Sequence, residues 1–462
     1  MHKNGQITQI KTQGIKNAAA IVFALVLSML AGYILVLGSY KLLFPFLFAG
    51  VILVLYFKQF EILIVLIFII NHELFYLLPS GALGRDAFQD LLFVIILLLL
   101  GARYFLDKKA RNYTKRHFGL FIPFFLFLVF VGILKSYYQG QPFIYGIKAA
   151  KGYYLILFYF VFMSKEINTQ KLFRLIIIAG ILLLILNNIK YAFFDSVGMF
   201  YIDESEISER GDNLRFIVGD FFINFAPIVT FGEYLRTRKK LYLLIFLYMI
   251  ATVIIQGQTR AVIIGITVSV LFMLYFSRCI SFSKIACIIP LLIILSIWVI
   301  PMLEATFLGR LYEITKSEIE GNTGNVGIRV VGYKYYFSEI VKSPIIGNGI
   351  WNVLQTKNNP EDMRYTRIYL ADIGLTKLLF HFGIFGVVWL LMLLSKVYKI
   401  SFQSLGRLKE NVHYSLLGYF IFSIATMATL DCFVDRFTII YLALVLALLS
   451  QSDYSMKDQQ RG

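Results

Sequence analysis

The chain has 462 residues, 59% of them hydrophobic, with a mean hydropathy of +0.74. Soluble globular domains are closer to half apolar, so the excess excludes an ordinary soluble fold and points to a bilayer protein. The net charge of +17 does not indicate nucleic acid, because most lysines and arginines fall in short segments between apolar runs, as the positive-inside rule requires.

Lipid admits only helices or closed barrels, and these runs are too long for barrel strands, so each is read as a helix. Met1 to Lys16 is polar and basic. The run after it is too long for a signal-peptide core and lacks a cleavage site, so it reads as the first span. The predicted spans of the first half are 17–37, 42–57, 60–78, 88–105, 118–138, 145–163 and 172–194. Those of the second half are 216–235, 241–256, 261–276, 285–302, 373–395, 412–430 and 436–449. The second and last are short, so the expected architecture is an all-α bundle of 12–14 spans forming one polytopic domain over residues 1–462.

Sides follow from charge. The segments 107–117 (Lys108, Lys109, Arg111, Lys115, Arg116), 236–240 and 396–410 are short and basic and are assigned to the cytoplasm, with both termini. The segment 195–215, carrying Asp203, Glu204, Glu206, Glu209 and Asp212, then falls outside, as does the long polar stretch Leu303–Asp372. Tyrosines such as Tyr137, Tyr138, Tyr153 and Tyr154 gather at predicted helix ends, where interfacial belts form. Cys279, Cys287 and Cys432 have the spacing of neither a disulfide framework nor a zinc site.

A long polar loop on a membrane scaffold is where recognition or chemistry is expected. Leu303–Asp372 carries Arg310, Arg329, Lys334, Arg364 and Arg367. Within it Val330, Tyr333, Phe337 and Val341 recur at helical spacing, predicting an amphipathic surface helix with Arg329 in its first turn. Ser343-Pro344 ends it, and Gly347-Asn348-Gly349 makes a turn. Arg260 lies in a short polar outer turn, Gln256-Gly257-Gln258-Thr259-Arg260, with nothing acidic beside it in sequence. A helical hairpin needs such a turn for structure alone, but an arginine there is also available to an external anion. Arg215 closes the acidic segment, where pairing with Asp220 is the structural alternative. Guanidinium groups match phosphate oxygens in bidentate fashion, and three of them, Arg215, Arg260 and Arg329, would neutralise a diphosphate without a metal. Lys148 and Lys151 sit near the outer end of a span at a spacing of three, which puts them on one helical face, either facing the same anion or snorkelling to the interface. His72, Glu73 and His381 read as core polar groups rather than metal ligands, and no cofactor motif is present.

Several of these residues together resemble the O-antigen polymerase and ligase superfamily. They are Gln258-Thr259-Arg260 before an apolar helix, Arg329, Ser343-Pro344-Ile345-Ile346-Gly347-Asn348-Gly349, and Gly383-Ile384-Phe385-Gly386 entering a span. The resemblance covers about Arg215 to Leu394. It implies an integral-membrane glycosyltransferase of the C-class type acting on polyprenyl-diphosphate-linked oligosaccharide at the outer face of the bacterial inner membrane. It also implies that Arg260 and Arg329 hold the diphosphate. Membrane lipid is a further implied partner, and a chain-length regulator protein a candidate one. The ligase branch carries a His-Asn pair where this chain has Asp372 and Ile373, so a polysaccharide repeat-unit polymerase is favoured over a ligase. Asp372 either serves as general base or pairs with Arg364 or Arg367; the base is the preferred reading. A lipid-linked oligosaccharide flippase is the alternative of a different class. It fits the span count but not the long loop, and no paired broken helices appear in matching halves.

Overall fold

The computed structural model describes residues 40–72, 74, 87–106, 118–192, 208–210, 213–215, 220–257, 259–277, 324–352, 373–405, 412–427, 435 and 437–459. The predicted spans 17–37 and 285–302, most of Leu303–Asp372, all three cysteines and Glu73 lie outside the described residues.

The described chain is almost wholly helical. In order come α1 (Tyr40–Lys58), α2 (Phe60–Asn71), α3 (Ala87–Leu106), α4 (Phe121–Tyr138), α5 (Phe143–Ala149), α6 (Lys151–Phe162) and α7 (Thr169–Ala192). After them come α8 (Asp220–Thr237), α9 (Lys240–Thr252) running into a π-helical turn (Val253–Gly257), and α10 (Arg260–Phe276). The remainder are α11 (Gly324–Lys342), α12 (Leu375–Leu405), α13 (Val412–Thr426) and α14 (Ile439–Gln459). Among the described residues five helical stretches are long and apolar enough to cross a membrane: Ala87–Tyr104, Phe121–Tyr138, Thr169–Ala192, Lys240–Gly257 and Leu375–Ser401. Shorter apolar helices pack among them. Leu97, Leu182, Leu244 and Leu391 point away from the protein even though the core is also apolar, which is the pattern of helices solvated by lipid.

One departure from an all-α fold is small. β1 (Ser208–Arg210) and β2 (Asn213–Arg215) pair antiparallel, with Ser208 opposite Arg215. Only Gly211 and Asp212 separate the strands in sequence, and such Gly-containing two-residue links favour hairpins.

The short last span turns out to be the central post. Every residue from Ile439 to Leu449 is buried, so this first part of α14 is apolar all round because protein surrounds it on all sides. It packs on α6, α12 and α13. Its upper partner is α8, buried from Phe222 to Phe231, whose Phe225 ring meets Tyr441. Elsewhere helix backbones approach through small residues: a methyl on Gly265 of α10 would lie 2.5 Å from Thr426 Cγ2 of α13.

Polar contacts sort the helix ends into two groups. At one end, Lys165 Nζ donates to Tyr56 O (2.5 Å), Gln451 Nε2 donates to Lys165 O (2.7 Å), and Lys171 pairs with Glu61 (3.1 Å). At the other, Asn71 Nδ2 donates to Phe437 O (2.8 Å), and Gln141 Nε2 donates to Ile350 O (2.9 Å). There too, Leu375 N–H donates to Met427 O (3.0 Å).

Two predicted helices differ in detail. The stretch predicted as one span over 145–163 is interrupted at Ala150 and tightens to a 3-10 turn at Leu155–Leu157, so the spacing of Lys148 and Lys151 no longer places them on one regular helical face. The loop helix begins at Gly324, earlier than its apolar pattern indicates, so Arg329 is in the second turn and not the first. Its packed side is Tyr336 and Ile340, against Ile373 and Phe380 of the α12 region, while Val330, Phe337 and Val341 face outward.

Candidate functional site

The second group of helix ends is where the described ones among the predicted site residues fall, and the backbone there follows from a broken helix. α12 departs from helical geometry at Gly383 (φ 60°, ψ −150°), a region open in practice only to glycine. In an unbroken helix Ile384 N–H would donate to Phe380 O. Here Ile384 N–H donates instead to Pro344 O (2.9 Å), and Phe380 O accepts from Asn348 N–H (2.6 Å). The loop after α11 therefore satisfies both groups that the break sets free. The turn Gly347-Asn348-Gly349 is formed as the sequence predicts, with φ of 76° and 86° at its glycines. Asn348 Nδ2 ties it back to Glu339 O (2.9 Å), and Ile350 N–H reaches Gly132 O of α4 (3.1 Å). Two motifs far apart in sequence, the Pro-Ile-Ile-Gly-Asn-Gly loop and the Gly-Ile-Phe-Gly helix segment, thus pack on each other.

Beneath this junction lies a chain of polar side chains. Lys377 Nζ stands 3.6 Å from Asp435 Oδ1 and 5.8 Å from the centre of the Tyr153 ring. The Tyr153 hydroxyl and His381 Nδ1 share a 2.6 Å hydrogen bond, both residues being buried. Asp435 Oδ2 also accepts from Phe437 N–H (3.1 Å), which fixes the turn that starts α14. Tyr153, expected in an interfacial belt, is a core residue because its hydroxyl has this internal partner. His72 and His381 are hydrogen-bonded core groups, as expected; His72 Nε2 meets the Tyr441 hydroxyl at 2.7 Å.

The arginine positions approach the same end by separate routes. β2, which ends at Arg215, lies against the π-helical turn that leads to Arg260. Arg260 opens α10, which runs along α13, and α13 ends at the carbonyl of Met427 that receives Leu375 N–H. The side chains of Arg215, Asp220 and Arg260 are outside what the structure describes. Arg329 is half-buried on α11, which packs against α12. Burial raises the Tyr333 phenol above its ordinary pKa, and the Arg329 guanidinium acts against that rise. Burial pushes Tyr336, one turn on, up to about 12. Asp372 is outside the described residues, but Ile373 after it is buried in the α11–α12 contact. Lys151 is paired with Asp90 of α3, and Lys148 lies over the Tyr145 ring, 5.6 Å from its centre. Lys151 therefore already has a carboxylate partner, whereas Lys148 is exposed.

Sequence reading passed over Lys377 and Asp435 and took Gln256 only as part of a turn. The first carried a usable signal: an ionisable residue at the start of a span, four positions before His381 and so on the same helical face. Among the described residues no three His, Cys, Asp or Glu side chains gather closely enough to hold a metal ion. No protein-family model matches this chain, and no curated protein matches it.

Proposed function

We propose that the protein is a polysaccharide repeat-unit polymerase that joins polyprenyl-diphosphate-linked glycans at the end of the bundle assigned by charge to the outside. The observation that carries this reading is that three backbone segments lie at that end. The strand ending at Arg215, the helix opening at Arg260 and the start of α12 just after Asp372 all belong to that end. Arg329 rides on a helix packed against α12.

In the proposed reaction the acceptor sugar hydroxyl attacks the anomeric carbon of the donor glycan. The bond from that carbon to the diphosphate oxygen breaks, the acceptor proton passes to Asp372, and polyprenyl diphosphate leaves. A single displacement inverts the anomeric configuration. Arg215, Arg260 and Arg329 would bind the diphosphate and stabilise the charge that builds on it, and removing one such preorganised donor costs about a hundredfold or more in rate. A carboxylate within hydrogen-bond reach of the attacking hydroxyl is the kind of group that takes its proton.

The test is the glycan ladder of cells carrying Arg260→Ala or Arg329→Ala at normal protein levels. Loss of long ladders, with single lipid-linked units accumulating on the outer leaflet, is the expected result. Full ladders from both variants would remove the proposal, and units retained on the inner leaflet of a deletion strain would replace it with a transporter.

A further inference from the structure

Gln256 occupies the π-helical turn between α9 and α10 and is 2% exposed. Its Nε2 donates to Asn188 Oδ1 of α7 at 2.6 Å, and Asn188 Nδ2 donates to the Tyr248 hydroxyl at 2.6 Å. Its Oε1 is buried and, among the described residues, has no hydrogen-bond partner. Exchanging oxygen and nitrogen in both amides keeps the two bonds and merely turns the unpaired carbonyl into an unpaired NH2. In either orientation one polar end of Gln256 is buried without a partner among the described residues, which native proteins avoid unless something else supplies it.

The surroundings indicate what supplies it. β2, ending at Arg215, lies against this turn, and Arg260 starts the next helix four residues on. A group held at Gln256 is therefore flanked by two of the arginine positions assigned to the diphosphate. A phosphate oxygen only accepts, so it would satisfy one amide orientation. A sugar hydroxyl both donates and accepts, so it satisfies either.

We infer that Gln256, held by Asn188 and Tyr248, binds a hydroxyl of the sugar attached directly to the lipid diphosphate. The inference rests on the proposed polymerase reading and adds to it a subsite that separates glycosylated from bare carrier.

The experiment measures binding of undecaprenyl diphosphate, bare or carrying glucose, galactose or N-acetylglucosamine, to the full-length protein in nanodiscs. The unaltered protein is expected to prefer at least one glycosylated carrier. Gln256→Met, of similar length but apolar, should lower affinity for that carrier about tenfold while leaving the bare carrier unchanged, the effect of one hydrogen bond. A deoxy series of the preferred sugar on unaltered protein supplies a second measurement that needs no variant: one deoxy position should reproduce the tenfold loss. Equal loss for bare and glycosylated carriers, or an intact preference in Gln256→Met, overturns the subsite and leaves the amide holding a structural water. If the bare carrier binds and Arg260→Ala weakens it, the polymerase reading survives that failure. If neither carrier binds the unaltered protein, both fall.

Discussion

Gly347 and Gly383 touch backbone to backbone: a methyl built on either would lie 2.6 Å from the amide nitrogen of the other. Both have positive φ, 76° and 60°. Gly383→Ala therefore combines a conformation closed to alanine with a clash against Ile345 O at 2.4 Å. The expected cost is about 1–3 kcal/mol for each effect. A lowered thermal midpoint, with new protease cleavage near Ile345, is the expected outcome. An alanine variant as stable as the unaltered protein would show that the loop and the broken helix do not depend on this contact.

How much of this junction could be read in advance depends on which link one asks about. The turn at Gly347-Asn348-Gly349 was legible, because local chemistry makes it. Its partner was not, because nothing in local propensity says that Asn348 N–H replaces Ile384 N–H at Phe380 O. The same division holds elsewhere. Long apolar runs gave α3, α4 and α7 to within a few residues, since length and hydropathy decide them. The break at Ala150 was missed, and so was the burial of Tyr153, whose hydroxyl partner His381 is distant in sequence. The loop helix showed its period but not its packed side. The residues that recur most regularly, Val330, Phe337 and Val341, are outward, while Tyr336 and Ile340 pack.

The Tyr153–His381 hydrogen bond is buried, so removing either partner loses a bond made out of reach of water. Tyr153→Phe and His381→Leu should each destabilise the protein by about 1–3 kcal/mol. The double variant should cost less than the sum of the two, with a coupling of about 0.5–3 kcal/mol measured by equilibrium unfolding in detergent. Strict additivity would mean that the two groups do not act on each other.

Asp435 has two tasks that substitutions can separate. Asp435→Asn keeps an acceptor for Phe437 N–H and loses the Lys377 pair, worth about 0–1 kcal/mol for a partly exposed contact. Asp435→Ala loses the turn as well, costing about 1 kcal/mol more. Thermal midpoints should fall in the order unaltered, Asn, Ala. An asparagine variant no more stable than the alanine one would assign the whole effect to charge.

The docking of α11 on α12 should depend on alkaline pH through Tyr336. Its folded pKa is pushed up to about 12 by burial, above the ordinary value of 10.0. A folded pKa above the unfolded one means that the contribution is whole below pH 10 and lost as pH rises toward about 12. Trp351 packs beside this contact, so the emission that Trp351→Phe removes reports it. That emission should shift red over this range, and Tyr336→Phe should remove most of the shift. A transition complete below pH 9 would assign the change to another group.

The central claim is that arginines remote in sequence hold one diphosphate at one end of the bundle. Cryo-electron microscopy of the full-length protein with undecaprenyl diphosphate tests it directly. The account predicts diphosphate density within hydrogen-bonding distance of the guanidinium groups of Arg215, Arg260 and Arg329. Density elsewhere, or Arg260 and Arg329 on opposite sides of the bilayer, would contradict it.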